Sequence, residues 1–173
     1  MIFNLFRKST APEAVDHAYR SIVAQSRQPR FYAEWGVPDT VTGRFDMVSL
    51  HLALVLRRLK GDESAREFSQ ALVELFFQDM DRSVRELGVT DLGVPKKVKA
   101  MGNVFYGLAN VLGPALDSAS VGDVESVLVR NVYGEANSGA PLLANYLLDQ
   151  SARLAGEPAA QLMHAGGSLH ERA

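Results

Sequence analysis

The residues with the most chemical potential lie between Phe68 and Tyr106, and they are charges rather than a catalytic set. Asp79, Arg82 and Glu86 succeed one another at i,i+3 and i,i+4, so on a helix they share a face and each charge can meet a partner. Two arrangements suit that pattern: a partly buried ion network that fixes helix register, or a charged rim beside a groove that accepts a partner segment. Asp81 and Arg85 form a separate i,i+4 pair on the outer face and are read as solvated. Beyond a glycine-containing connection, Lys96, Lys97 and Lys99 enter the next helix at the positive end of its dipole, where cations are disfavoured by roughly a few tenths of a kcal/mol each. They either serve solubility or form a contact surface for an acidic or phosphate-bearing partner. Asn103 and Tyr106 continue the side of Lys96 and Lys99, and Lys97 falls near the apolar edge.

The usual catalytic constellations are missing. The chain has no GxxxxGKS/T phosphate loop, no GxGxxG after a strand, no HExxH and no GxSxG elbow. His17, His51, His164 and His170 are scattered rather than paired at ligand spacing, and His51 reads as a satisfied structural histidine beside an apolar surface. The glycine-flanked run from Gly134 to Gly139 has no basic anchor and reads as a connection. With no cysteine, disulfides, thiolate metal sites and cysteine nucleophiles are excluded, and a reducing compartment fits. A net charge of −2 argues against sequence-independent grip on nucleic acid. The expectation is a binding protein without catalysis, cofactor, metal or nucleic-acid specificity. An enzyme would need a clustered, solvent-reachable set such as His51, Asp79 and Glu86.

Helical periodicity runs through nearly the whole chain. Thr10, Pro12 and Glu13 form a helix start, with the helix reaching about Gln28. The aromatics Phe31, Tyr32 and Trp35 follow, either plugging a core or, if exposed, binding a partner. Asp39 and Thr40 cap the next helix, which runs to Lys60 and is apolar almost all round, so it belongs at the centre. In the helix from Asp62 to Leu87, the line Phe68–Leu72–Leu75 turns into Asp79–Arg82–Glu86, while the apolar side rotates to Phe76, Met80, Val84 and Leu87. After the connection, Val98, Met101, Phe105, Leu108 and Leu112 form one stripe. Gly102 and Gly107 predict close helix contact or a kink, and Gly113-Pro114 a kink or an end. Ser120 to Val132, Asn137 to Gly156 and a short turn after Pro158 complete the series.

These signals predict an all-α, single-domain bundle of about six or seven helices over residues 10–165. Residues 1–9 read as an apolar and basic flap or as a weak membrane anchor through Phe3, Phe6, Arg7 and Lys8, and residues 166–173 as a frayed tail. No apolar run reaches the roughly 18–20 residues that span a bilayer. The N-terminus lacks a signal-peptide pattern, so the expected location is the cytoplasm.

One family matches these residues. Gly43-Arg44-Phe45-Asp46, Leu50-His51-Leu52, Leu56-Arg57-Arg58-Leu59 and the run from Phe77 to Val89 resemble the ubiquinol–cytochrome c chaperone family. The most specific part is Asp79-Met80-Asp81-Arg82-Ser83 with Arg85-Glu86-Leu87-Gly88-Val89, followed by Pro95-Lys96-Lys97-Val98-Lys99 and Phe105-Tyr106-Gly107. The resemblance spans nearly half of the chain. It implies an all-helical assembly factor for the bc1 complex that recognises newly made cytochrome b, with no catalytic residues. Mitochondrial relatives act near the ribosomal tunnel exit with a small partner protein. The lack of a targeting presequence implies a bacterial version at the cytoplasmic face of the inner membrane, with the ribosome or that membrane surface as further contacts. The rival reading is a peripheral, lipid-binding helical protein.

Overall fold

The computed structural model describes residues 12–165, in which each helix starts and stops where local chemistry dictates. Helix α1 spans Pro12–Ser26 and α2, a short segment, Pro29–Ala33. Helix α3 (Val41–Leu59) opens on Thr40, whose hydroxyl accepts the Gly43 N–H at 3.1 Å. Asp62 caps a 3-10 turn over Glu63–Ala65 that leads into α4 (Arg66–Glu86). Helix α5 covers Val94–Asp117, with Pro95 in its first turn. Ser120 caps α6 (Val121–Leu128), which continues as a π turn over Val129–Tyr133. Helices α7 (Ala140–Gly156) and α8 (Ala159–Ala165) close the chain. Apart from α2 these are seven helices, and no strand occurs among the described residues, so the fold is the expected all-α bundle. Thr10, the contact proposed for Phe3, Phe6, Arg7 and Lys8, and residues 166–173 lie outside the described residues.

Helix α3 is the hub, packing on α1, α5 and α7 and more lightly on α4. Burial of Met47, Leu50, Leu52, Leu54, Val55 and Leu59 leaves it little solvent-facing surface along its middle. Fully burying each such side chain stabilises the fold by about 1.5–3 kcal/mol. Of the apolar line expected along α4, Phe68, Leu72, Phe76, Met80 and Val84 are buried and Leu75 is half-buried, and Phe76 meets Phe105 of α5 with ring centroids 5.0 Å apart. Gly102 makes the close contact expected of it, because a Cβ there would come 2.8 Å from the Phe77 ring. Gly107 has open space instead.

Three local expectations change. Leu87 is 54% exposed rather than packed, because α4 stops at Glu86 and the core positions at this end are taken by Val84 and Val94. Helix α5 does not end at Gly113-Pro114. Proline removes the N–H that the Asn110 carbonyl would accept, but Asn110 and Pro114 are exposed, so water can satisfy that carbonyl while Leu112, Ala115 and Leu116 hold the last turn in the core. The aromatic link contains a helical turn, with Phe31 fully buried and Tyr32 and Trp35 partly so. This is the plug arrangement. It is sealed by Gly139, where a Cβ would fall 1.8 Å from the Trp35 carbonyl oxygen.

Inside the plug lies a closed chain of hydrogen bonds. Gln25 Nε2 donates to the Tyr146 hydroxyl at 2.9 Å, which lies 2.8 Å from His51 Nε2, and His51 Nδ1 lies 2.7 Å from the Met47 carbonyl. The carbonyl can only accept, so Nδ1 carries the proton and Nε2 accepts from Tyr146. Burial pushes the imidazole down to about 4, which keeps it neutral near pH 7. Burial likewise pushes the Asp46 carboxyl up to about 7, and no cation stands within ion-pair distance of it among the described residues.

Two consequences can be measured. Tyr146→Phe strands the Gln25 amide and the His51 lone pair, and is expected to cost about 2–3 kcal/mol in urea unfolding. A loss under about 0.5 kcal/mol would mean the chain is not structural. The second concerns acid. From pH 6.5 to 4 the unfolded chain binds a proton that folded His51 refuses, so stability falls as pH falls. From pH 3.8 to 7 folded Asp46 retains a proton that the unfolded chain has released, so stability falls as pH rises. The two slopes oppose. Asp46→Asn removes the second, so the variant should gain on the parent between pH 4 and 7 by on the order of 3 kcal/mol; an unchanged difference across that window refutes the assignment.

Candidate partner-binding surfaces

The charged residues singled out in the sequence do not form one site. Asp79, Arg82 and Glu86 line a groove of about 580 Å³ between α4 and α1, together with Asp16, Tyr19, Arg20 and Arg27. No ion pair forms among the three: Asp79 accepts the Tyr19 hydroxyl at 3.0 Å, and neither Arg82 nor Glu86 has an oppositely charged partner within 4 Å among the described residues. The i,i+3 and i,i+4 spacings permitted a network, but the short route to a partner for Asp79 runs across to α1. Burial, then the nearby Asp79 charge, raises the Tyr19 phenol far above its ordinary value, so it stays a donor to that carboxylate. Asp81 and Arg85 pair at 2.6 Å on an exposed face, as expected, and Arg85 also reaches Asp91.

Lys96, Lys97, Lys99 and Asn103 are all exposed and line neither this groove nor the larger one described next. Lys97, expected at the apolar edge, is exposed like Lys96 and Lys99, and Val94 is the residue of that first turn that is buried. Tyr106 is half-exposed and leans on Phe105 and Phe77, with centroids 5.1 and 6.3 Å away. It belongs to a different surface from Asp79. His51, fully buried between α3 and α7, is brought near neither Asp79 nor Glu86 by any hydrogen bond or shared groove, so the set an enzyme would need is not assembled. Among the described residues no three His, Asp or Glu side chains are arranged to hold a metal.

The larger concavity was not foreseen. An open groove of about 1120 Å³ runs between the C-terminal end of α3, the 3-10 turn and the C-terminal half of α5. Its floor is apolar, with Ala53, Leu56, Leu59, Phe105, Leu112 and Leu116, and its rim carries both signs of charge, Arg57, Lys60 and Arg66 against Asp62, Glu63 and Asp117. Arg57 is held by Asp117 and by Ser151 Oγ at 3.1 Å. Arg58 donates to the Leu154 and Glu157 carbonyls at 2.9 and 2.5 Å, closing the C-terminus of α7. One signal for this groove was present in the sequence. Ala109, Asn110, Gly113 and Pro114 supply a thin wall on one side of α5, but only the meeting of α3 with α5 makes that wall concave.

Substitutions separate a charged rim from a register-fixing network. Asp79→Ala removes the acceptor of a part-buried phenol and should cost about 1–2 kcal/mol. Arg82→Ala and Glu86→Ala, which lose no ion pair among the described residues, should stay within about 0.5 kcal/mol of the parent. Equal losses for all three in chemical unfolding would restore the network.

A family model described as ubiquinol–cytochrome C chaperone matches residues 33–169. The crystal structure of the Cbp3 homolog from Brucella abortus is similar over 90% of this chain and 88% of that one, with 38% sequence identity and a TM-score of 0.83. No curated protein matches the chain. The family match takes in every helix from α3 to α8, the whole α3–α5 groove and the α4 side of the α1–α4 groove, and the chain belongs to the ubiquinol–cytochrome c chaperone family.

Proposed function

We propose that this chain is a chaperone for assembly of the bc1 complex, that its client is newly synthesised cytochrome b, and that the α3–α5 groove receives one apolar client segment. Family membership supports the assembly role, and with it a protein that binds rather than catalyses. The observation that carries the binding mode is the groove itself: an apolar floor under a rim of both charges. A membrane protein awaiting its cofactors presents apolar helices bounded by polar loops, and a helix laid in such a groove hides its apolar face while its ends meet the rim. The volume is comparable to roughly two turns of a helix about 10 Å across. Tyr106, with an apolar ring and a free-standing hydroxyl edge, marks the border between floor and solvent.

On this reading Asp79, Arg82 and Glu86 are a second contact, for the charged loop of the client or for the ribosome that makes it, and Lys96, Lys97, Lys99 and Asn103 flank the approach. No helix among the described residues is long and apolar enough to cross a membrane, which agrees with a peripheral place at the inner-membrane surface during client insertion.

Asn110→Trp tests the groove, because Asn110 is exposed and lines it. The indole fills the space without entering the core, so the thermal midpoint should hold. Capture of cytochrome b from cells expressing the bc1 complex should fall at least several-fold, as it should for a charge-reversed Asp79/Arg82/Lys96/Lys99 variant if the second contact is used. Full capture by the tryptophan variant, at unchanged stability, would move the client elsewhere.

A further inference from the structure

We infer that the tip of the α4–α5 hairpin is a membrane-contact device, in which Leu92 and Leu87 enter the headgroup region of an anionic bilayer and Lys96, Lys97 and Lys99 bind its phosphates. The inference is independent of which client the grooves take. Leu92 is 95% exposed and Leu87 54%, and both lie in the connection between the two helices. An apolar side chain left in water at a protruding turn carries a standing transfer free energy that burial elsewhere would recover. The lysines sit directly behind it. Lys99 is five residues into α5, about 7.5 Å of helix rise from Val94, so all three ammonium groups can reach the plane the leucines enter.

The charge distribution favours lipid phosphate over mixed protein surface. From Leu92 to Leu116 the chain contains no acidic residue, although the protein as a whole is net negative. The two aspartates closest to the tip, Asp81 and Asp91, are both held by Arg85, at 2.6 and 2.5 Å. Glu86 lines the α1–α4 groove. No ion pair engages Lys96, Lys97 or Lys99 among the described residues. Three lysines that form no ion pair among the described residues, behind two exposed leucines, match the pairing of shallow insertion with electrostatic attraction that holds peripheral proteins on anionic membranes.

The chain has no cysteine, so Leu92→Cys in the full-length protein takes a single polarity-sensitive fluorophore. On phosphatidylcholine vesicles containing phosphatidylglycerol its emission should shift to the blue and be quenched by lipids brominated near the headgroup. Without phosphatidylglycerol neither should occur. Leu92→Ser should weaken partitioning about tenfold, and exchange of the lysines for alanine roughly fivefold for each lysine removed. Because none of these lysines has an ion-pair partner among the described residues and Leu92 is 95% exposed, the thermal midpoint should be unchanged. An emission that stays water-like while the protein is vesicle-bound overturns the inference. So does a lysine variant that partitions like the parent; if it also loses client capture, the tip is a protein contact.

Discussion

Three helices distant in sequence are held together by one buried chain of hydrogen bonds. Gln25 comes from α1, Met47 and His51 from α3, and Tyr146 from α7, and each donor in the chain has an acceptor. Phe31 and Trp35 pack at a tilt against the Tyr146 ring, with centroids 5.1 and 5.9 Å away, and the Arg30 guanidinium lies 5.3 Å from it. Such a chain works only when complete, because a half-satisfied polar group in a low-dielectric interior is worse than none. It therefore specifies one relative placement of α1, α3 and α7, where packing of leucines alone would tolerate several.

With that placement set, the two grooves follow. Helix α4 packs against α1 and α5, and the space it leaves along α1 is lined by charge because its apolar side has rotated to face Phe105. Helix α5 runs past its proline, and the Arg57–Asp117 pair joins its end to that of α3 on the rim while apolar residues line the floor. Both surfaces are thus by-products of how the core is filled, and no other element among the described residues fills them. A chaperone needs this combination of a stiff frame and unfilled apolar surface, since the client must displace water rather than protein.

Much of this was legible beforehand. Thr40, Asp62 and Ser120 announce their helix starts through a local bond to a backbone N–H, which needs no knowledge of the rest of the chain. The burial of α3 and the stripe of α4 follow from periodicity for the same reason. The failures have a shared cause. A packed Leu87, a helix end at Pro114 and an ion network among Asp79, Arg82 and Glu86 were judged on one helix each, whereas neighbours decided them: Val94 took the place of Leu87, the core held the turn beyond Pro114, and Tyr19 engaged Asp79.

The sequence by itself determined that this is an all-helical chain with α3 at its centre, because 3.6-residue periodicity and capping are properties of single segments. It also pointed, through particular residues between Gly43 and Gly107, to the family that the comparisons establish. Only the tertiary structure decided that the charges of α4 and the tyrosine of α5 serve different surfaces, that His51 is locked away from solvent, and that the α3–α5 groove exists. Those facts depend on which faces meet across the core, and that choice is made by long-range packing and hydrogen-bond closure rather than by any local spacing.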